Sequence, residues 1–189
     1  MKKRCGWESK NEIYTEYHDN EWGVPLHDDY TLFEFLTLES FQAGLSWLII
    51  LRKRGNFRRA FENFDPVKVS QFNENKINAL LEDKGIVRNR LKIKACINNA
   101  GRFLEIQKEF GSFAKYIWAF VDDKPIINHF EKLEELPAKT ELSDIISKDL
   151  KKRGFKFMGS TVVYSHMQAT GMVNDHLVSC FRHIEVKNL

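Results

Sequence analysis

A chain of 189 residues, 43% of them hydrophobic, is long enough to bury one core unaided and short enough to form a single domain. Three cysteines rule out a disulfide scaffold, and the opening MKKRCGWESK has no apolar segment behind its basic residues, so a reduced, cytoplasmic protein is expected. A net charge of +3 selects no partner, and the longest apolar run, LSWLII into Leu51, is too short to cross a membrane.

From Asp28 to Ala43, Leu32, Phe33, Phe35, Leu36, Leu38 and Phe41 recur in steps of three and four behind an aspartate that can cap, which predicts a helix. Asp65-Pro66 sets a capping carboxylate before a proline at the first helical position, with Val67, Val69 and Phe72 following. Arg88 to Phe110 is the longest candidate, interrupted only by Gly101. Ser112 starts a further helix through Val121, and Asp122-Asp123-Lys124-Pro125 reads as a turn. Ser143 is expected to cap a helix running to Arg153, closed by Gly154, and Ser160 another running to Thr170, closed by Gly171. No hairpin signal or run of alternating β-branched residues competes, so the expected class is all-α, one domain over 1–189 with no repeat and no linker.

Charge placement says more than the sum. Basic residues gather in RKRGNFRR (52–59), KGIVRNRLKIK (84–94) and KKRGFK (151–156), and acids in EKLEELPAKTELSD (131–144). Each cluster fits a solvated helix face as well as a binding surface. The segment GFKFMG (154–159), with glycine at both ends, joins two predicted helices over about 143–171. Backbone N–H groups opening the second helix would hold phosphate without reading bases, with Lys151, Lys152, Arg153 and Lys156 adding charge. An ordinary helical hairpin with a basic surface fits the same residues.

HLVSC, at 176–180, would put His176 and Cys180 on one face if the stretch is helical, a workable separation for two ligands of one metal. A packing contact fits that pair equally. Cys5 and His18, near the other end of the chain, complete a Cys2His2 set, the composition of a closed structural zinc site. The expectation is one zinc tying residues 5–18 to 176–180, although spacing alone leaves open whether the pairs meet. Cys96, inside the long helix, is expected in the core.

The glycine-led turn GIVRNRLKIKACINNAGRF followed by the basic hairpin resembles the helix-hairpin-helix DNA glycosylases, in most of which a catalytic aspartate follows the hairpin by roughly twenty residues, near Asp175 here. More specifically, the chain resembles the DNA-3-methyladenine glycosylase I family, the bacterial Tag type. The motifs are RCGW (4–7), YHDNEWGVP (17–25), LESFQAGLSW (38–47), GIVRNRLKIKA (85–95) and LKKRGFKFMGSTVVYSHMQATGMVNDH (150–176). That resemblance implies an all-α helix-hairpin-helix fold with a structural zinc on Cys5, His18, His176 and Cys180. It implies Glu39 as the pocket carboxylate that binds the adenine edge, Tyr17 as a polar contact, Trp47 as a stacking ring and Trp22 as a wall. Gly44-Leu45 becomes the wedge that replaces the flipped base, and Gly154, Gly159, Lys152, Arg153 and Lys156 become DNA contacts. His166 stands where an aromatic residue is usual, and Phe41 where a polar residue is common.

The implied reaction is hydrolysis of the N-glycosidic bond of 3-methyladenine in alkylated double-stranded DNA, without a Schiff base or strand nicking, by a monomer needing no membrane and no obligate protein partner. Asp175 is expected to orient the neighbouring ligand His176. The competing expectation is a zinc-stapled helical DNA-binding protein without catalysis, in which Glu39 is dispensable. A deaminase is excluded by the lack of its H-x-E and P-C-x-x-C pattern.

Overall fold

The computed structural model describes residues 2–8 and 11–189 of the chain, and the fold is helical. The order is α1 (Glu12–Asn20), α2 (Asp29–Gln42), α3 (Trp47–Ala60), α4 (Pro66–Ser70), α5 (Glu74–Glu82), α6 (Arg90–Phe110), α7 (Phe113–Trp118), α8 (Glu141–Lys152), α9 (Ser160–Ala169) and α10 (Phe181–Lys187). One two-residue parallel ladder, Ile126–Ile127 on Val173–Asn174, is too short to leave a periodic trace in the sequence. No helix among the described residues is long and apolar enough to cross a membrane.

The sheath of helices surrounds α2, where every residue from Leu32 to Phe41 is buried. A helix buried on all sides belongs at the centre of a fold. Asp28 caps it, accepting from the backbone N–H of Thr31 at 2.8 Å and the Thr31 hydroxyl at 2.6 Å. Asp29 then reaches across to cap α7, taking the N–H groups of Phe113 and Ala114 at 2.8 Å each. An aromatic stack of Phe41, Phe57, Phe61 and Phe64 fills the space between α2 and α3. Cys96 is buried in the core as expected.

The cap at Asp65 starts α4 as its sequence predicts, whereas α6 starts at Arg90, two residues later than expected, behind a cap at Asn89. Two other starts differ. α8 is capped by Thr140, and Ser143 instead sits three residues in, its hydroxyl accepting the N–H of Thr140 while the Thr140 hydroxyl accepts that of Ser143. α9 is preceded by Gly159 without a side-chain cap, so Ser160 is its first residue and not its cap. HLVSC is not helical. After Gly171 the chain runs through the short ladder and a turn, and Cys180 is the residue before α10. Gly171 has φ +72°, and a Cβ there would lie 2.4 Å from the backbone of Val24 and Pro25, so the close approach of these segments requires glycine.

His166, on α9, is buried with no partner among the described residues for either ring nitrogen, and burial pushes its pKa down to about 4. The unfolded chain protonates this imidazole near 6.5, so the folded state binds fewer protons between pH 6.5 and 4 and loses stability as pH falls through that window. The full loss is about 3 kcal/mol. His166→Phe is expected to raise the melting temperature and flatten the acid limb in thermal melts run from pH 7.5 to 4.5, and an unchanged acid limb would show that the ring finds a partner.

Candidate active site and metal centre

Two carboxylates of α2 are buried, and they are treated differently. Glu34 is paired, its Oε1 accepting from Arg54 Nε at 2.6 Å and Arg58 Nε at 2.9 Å. Glu39 is 5% exposed and burial alone pushes its pKa up to about 8. Among the described residues no hydrogen bond or ion pair reaches it. A carboxyl that is desolvated, unpaired and neutral at pH 7 is costly in a core, and is compensated when a cationic ligand takes the place of the missing partner.

Glu39 faces a cavity of about 350 Å³ walled mainly by aromatic rings from α1, α3 and the segments around them. Tyr17 and Trp47 stand with ring centroids 5.6 Å apart, and Trp7 meets Trp22 edge-on at 5.1 Å. Burial, and then the carboxyl of Glu39, hold the Tyr17 hydroxyl well above its ordinary pKa, so it stays protonated. The indole N–H groups of Trp7 and Trp47 are buried without partners among the described residues. The cavity thus offers ring faces, a carboxyl and unspent donors, which is what a flat, charged heteroaromatic ring with a hydrogen-bonding edge requires.

The structure brings Glu39, Tyr17, Trp22 and Trp47 to one cavity, and adds residues that sequence reasoning missed. Trp7 lies within RCGW, and Tyr14 precedes Tyr17 by one helical turn, so their common face on α1 was a usable signal. The Tyr14 hydroxyl accepts the N–H of Leu48 at 2.9 Å, a helix-start group that Ser46 leaves unsatisfied. Gln42, Ser165, Gln168, Leu133 and Leu136 complete the lining, with Leu133 and Leu136 coming from the acidic stretch where no pattern pointed inward.

Asp175 does not orient His176. Its buried carboxylate accepts from Asn128 Nδ2 at 2.7 Å, the Tyr164 hydroxyl at 2.6 Å and Gln168 Nε2 at 2.8 Å. It is therefore spent on holding α9 and the ladder together, and on fixing the amide of Gln168 at the cavity wall.

Cys5, His18, His176 and Cys180 meet, all buried, with their ligand atoms within 4.8 Å of one another. Cys5 Sγ to His176 Nδ1 and Cys180 Sγ to His18 Nε2 are each 3.5 Å, and Cys180 Sγ to His176 Nδ1 is 3.7 Å. Around an ion holding sulfur and nitrogen at ordinary zinc distances, tetrahedral edges of about 3.6 Å result, so these residues fit a four-coordinate metal. Both remaining ring nitrogens are engaged. His18 Nδ1 lies 2.8 Å from Asp19, itself clamped by Arg4 at 2.7 Å, and His176 Nε2 lies 2.9 Å from the Trp22 carbonyl. Those contacts fix the tautomers that ligation needs.

In the hairpin, Gly154 has φ +90° and Gly159 leads into α9. Asn98 donates to the Gly154 carbonyl at 2.8 Å, and Asn99 exchanges bonds with both backbone groups of Lys156 at 2.8 and 2.9 Å. α6 thus holds the loop in shape, and the first turn of α9 has no side-chain cap. Lys151, Lys152 and Lys156 are exposed. Arg153 differs, being tied to Glu109 at 2.7 Å and Asp149 at 2.9 Å, so its charge is already engaged within the protein. Gly44, at φ +84°, and Leu45 form a tight turn beside the cavity, closed by the Leu45 N–H on the Gln42 carbonyl at 2.7 Å.

A helical fold with a basic hairpin and a cavity of this chemistry is that of the helix-hairpin-helix DNA glycosylases. The methyladenine glycosylase family model matches residues 7–183, and the chain belongs to that family. DNA-3-methyladenine glycosylase 1 of Escherichia coli (strain K12) is 49% identical over 178 residues, covering 94% of this chain and 95% of the relative. The crystal structure of a 3-methyladenine DNA glycosylase I (TAG) is similar at a TM-score of 0.92 and 48% identity, covering 95% of this chain and 98% of that one. The Staphylococcus aureus enzyme, solved for the structural basis of 3-methyladenine recognition, is similar at a TM-score of 0.91 and 39% identity, covering 94% and 95%.

Cys180→Ser, which removes one of four buried ligands, is expected to lower metal content below one ion per chain and to destabilise the fold by about 4 kcal/mol or more. Metal analysis beside thermal melts checks this, and a variant that melts with the parent would contradict a metal-dependent clasp.

Proposed function

We propose that this protein is a base-excision repair glycosylase that removes 3-methyladenine from alkylated duplex DNA by hydrolysing its N-glycosidic bond, leaving an abasic site. The observation that carries this reading is Glu39, an unpaired buried carboxyl on the wall of an aromatic cavity. The names of the Escherichia coli and Staphylococcus aureus relatives support the same substrate.

Adenine methylated at N3 within a nucleotide is a cation, so its bond to C1′ is already weak. As that bond breaks, its electron pair goes to N9 and the base leaves neutral. The sugar carbon then takes the oxygen of a water molecule, and the water's proton passes to solvent. Recognition can supply much of the catalysis. The nucleotide is flipped from the stack so that its base lies against Trp47, with Tyr17 as a polar contact and Trp22 as a wall. A cationic base gains from the electron-rich faces of these rings. Glu39 ionises against the same cation and accepts from the edge of the base, whereas neutral adenine leaves the buried charge uncompensated. Selection and rate thereby rest on one group.

Leu45, presented by the Gly44 turn, fills the gap in the duplex. Gly154, Gly159, Lys152 and Lys156 hold the backbone of the DNA through amides and charge, with Arg153 bracing the hairpin from behind. The metal is one zinc, supported by the sulfur and nitrogen donor set, and four protein ligands leave no position for an activated water. No lysine lines the cavity among the described residues, which supports a monofunctional hydrolase with no Schiff base. Three free buried cysteines suit a cytoplasmic protein, and it acts as a monomer with no obligate partner.

Incubated with methylated duplex DNA, the protein is expected to release free 3-methyladenine and to leave strands intact until alkali cleaves them at abasic sites. Glu39→Gln is expected to slow release by about a hundredfold or more while staying folded. No release by the folded, metal-loaded protein would instead favour a DNA-binding protein without catalysis.

A further inference from the structure

Lys92 is a buried cation with no carboxylate partner. It lies in the first turn of α6, 7% exposed, and makes no ion pair among the described residues. Its ammonium donates instead to two backbone carbonyls of another helix, Phe41 at 2.8 Å and Ala43 at 2.7 Å. One belongs to the last turn of α2 and the other to the residue just after it, both left without intrahelical partners because the chain departs sharply at Ala43. α2 has no basic residue in its own last turn, so Lys92 supplies from outside both the donors and the positive charge that a helix C-terminus favours.

What Lys92 holds is the base of the turn that carries Leu45. From Ala43 the chain reverses through Gly44, with φ +84°, and the Gln42 side chain closes the loop by donating to the Leu45 carbonyl at 2.9 Å. A Cβ at Gly44 would meet nothing within 4 Å, so the conformation and not the space requires glycine. The turn itself is mostly exposed, although the half-buried side chain of Leu45 packs against the core. Its base is tied to α6 by one ammonium between two carbonyls.

We propose that Lys92 is a positioning residue for base extrusion, fixing the turn so that Leu45 enters the duplex as the damaged nucleotide leaves. This rests on Leu45 acting as the wedge. Lys92 touches neither base nor reacting bond, and its loss leaves the cavity and Glu39 in place.

The test compares base release from a 3-methyladenine duplex with release from the same strand alone, where there is no gap to fill. Lys92→Met, which keeps the stem and removes the charge, is expected to slow release from the duplex roughly tenfold or more and from the single strand less than about twofold. Binding of free 3-methyladenine, followed by the fluorescence of the cavity tryptophans, is expected to stay unchanged. In a Leu45→Ala background, itself slow on duplex, Lys92→Met is expected to add nothing further, because both changes act on one step. If the Met variant melts below the assay temperature, Lys92→Gln carries the same comparison with a smaller loss on duplex alone. Equal slowing on both substrates, additivity with Leu45→Ala, or full activity of a Lys92 variant where Leu45→Ala is slow would overturn the role of Lys92. Full duplex activity of Leu45→Ala would instead overturn the wedge.

Discussion

The rest of the structure depends on the burial of α2 and on the unequal treatment of its two acids. A helix buried on every face is expensive to charge, yet α2 carries Glu34 and Glu39 one turn and a residue apart. Arg54 and Arg58 neutralise the first, and Arg54 also binds Glu21 at 2.6 Å, tying α3 to the segment after α1. The second is left to its own desolvation. The fold spends paired charge on stability at one position and withholds it at the other, where a charged ligand completes the pairing.

The metal clasp and the cavity are one construction seen from two sides. Trp7 follows Cys5 by two residues, Tyr17 precedes His18, and the carbonyl of Trp22 holds the ring of His176. The ring of Trp7 packs edge-on against His18 at 5.3 Å, and that of Trp22 against His176 at 4.6 Å. A metal held by these four residues would therefore fix three of the aromatic walls through residues adjacent to the ligands. On the opposite side, Asp175 bonds Gln168 and Lys92 bonds the end of α2, so buried polar groups help to set the position of the cavity rim.

Much of this was legible in the sequence. The periodicity behind Asp28 and the Asp65-Pro66 pair predicted α2 and α4 because each combines a cap with an apolar stripe, and the run to Phe110 predicted α6 without its cap at Asn89. The four ligands and Glu39 were legible through resemblance, since spacing alone did not bring residues from opposite ends of the chain together. Thr140 and Ser143 bond each other reciprocally, and sequence does not say which of two hydroxyls begins the helix. His176 and Cys180 approach through a turn set by Gly171 and the ladder, features without a period. The partners of Asp175 lie on α9 and on the distant segment at Asn128, and Lys92, read as part of a basic surface, turned inward because distant carbonyls needed a donor.

The most direct test of the account is the titration of Glu39 in the ligand-free protein, followed by carbon NMR of labelled glutamate side chains and assigned by comparison with Glu39→Gln. A carboxyl buried without a partner titrates with a midpoint near 8, staying neutral through pH 7. A midpoint near the ordinary 4.5 would mean that Glu39 is hydrated or already paired, and the unpaired acid could not then be the feature that selects a cationic base.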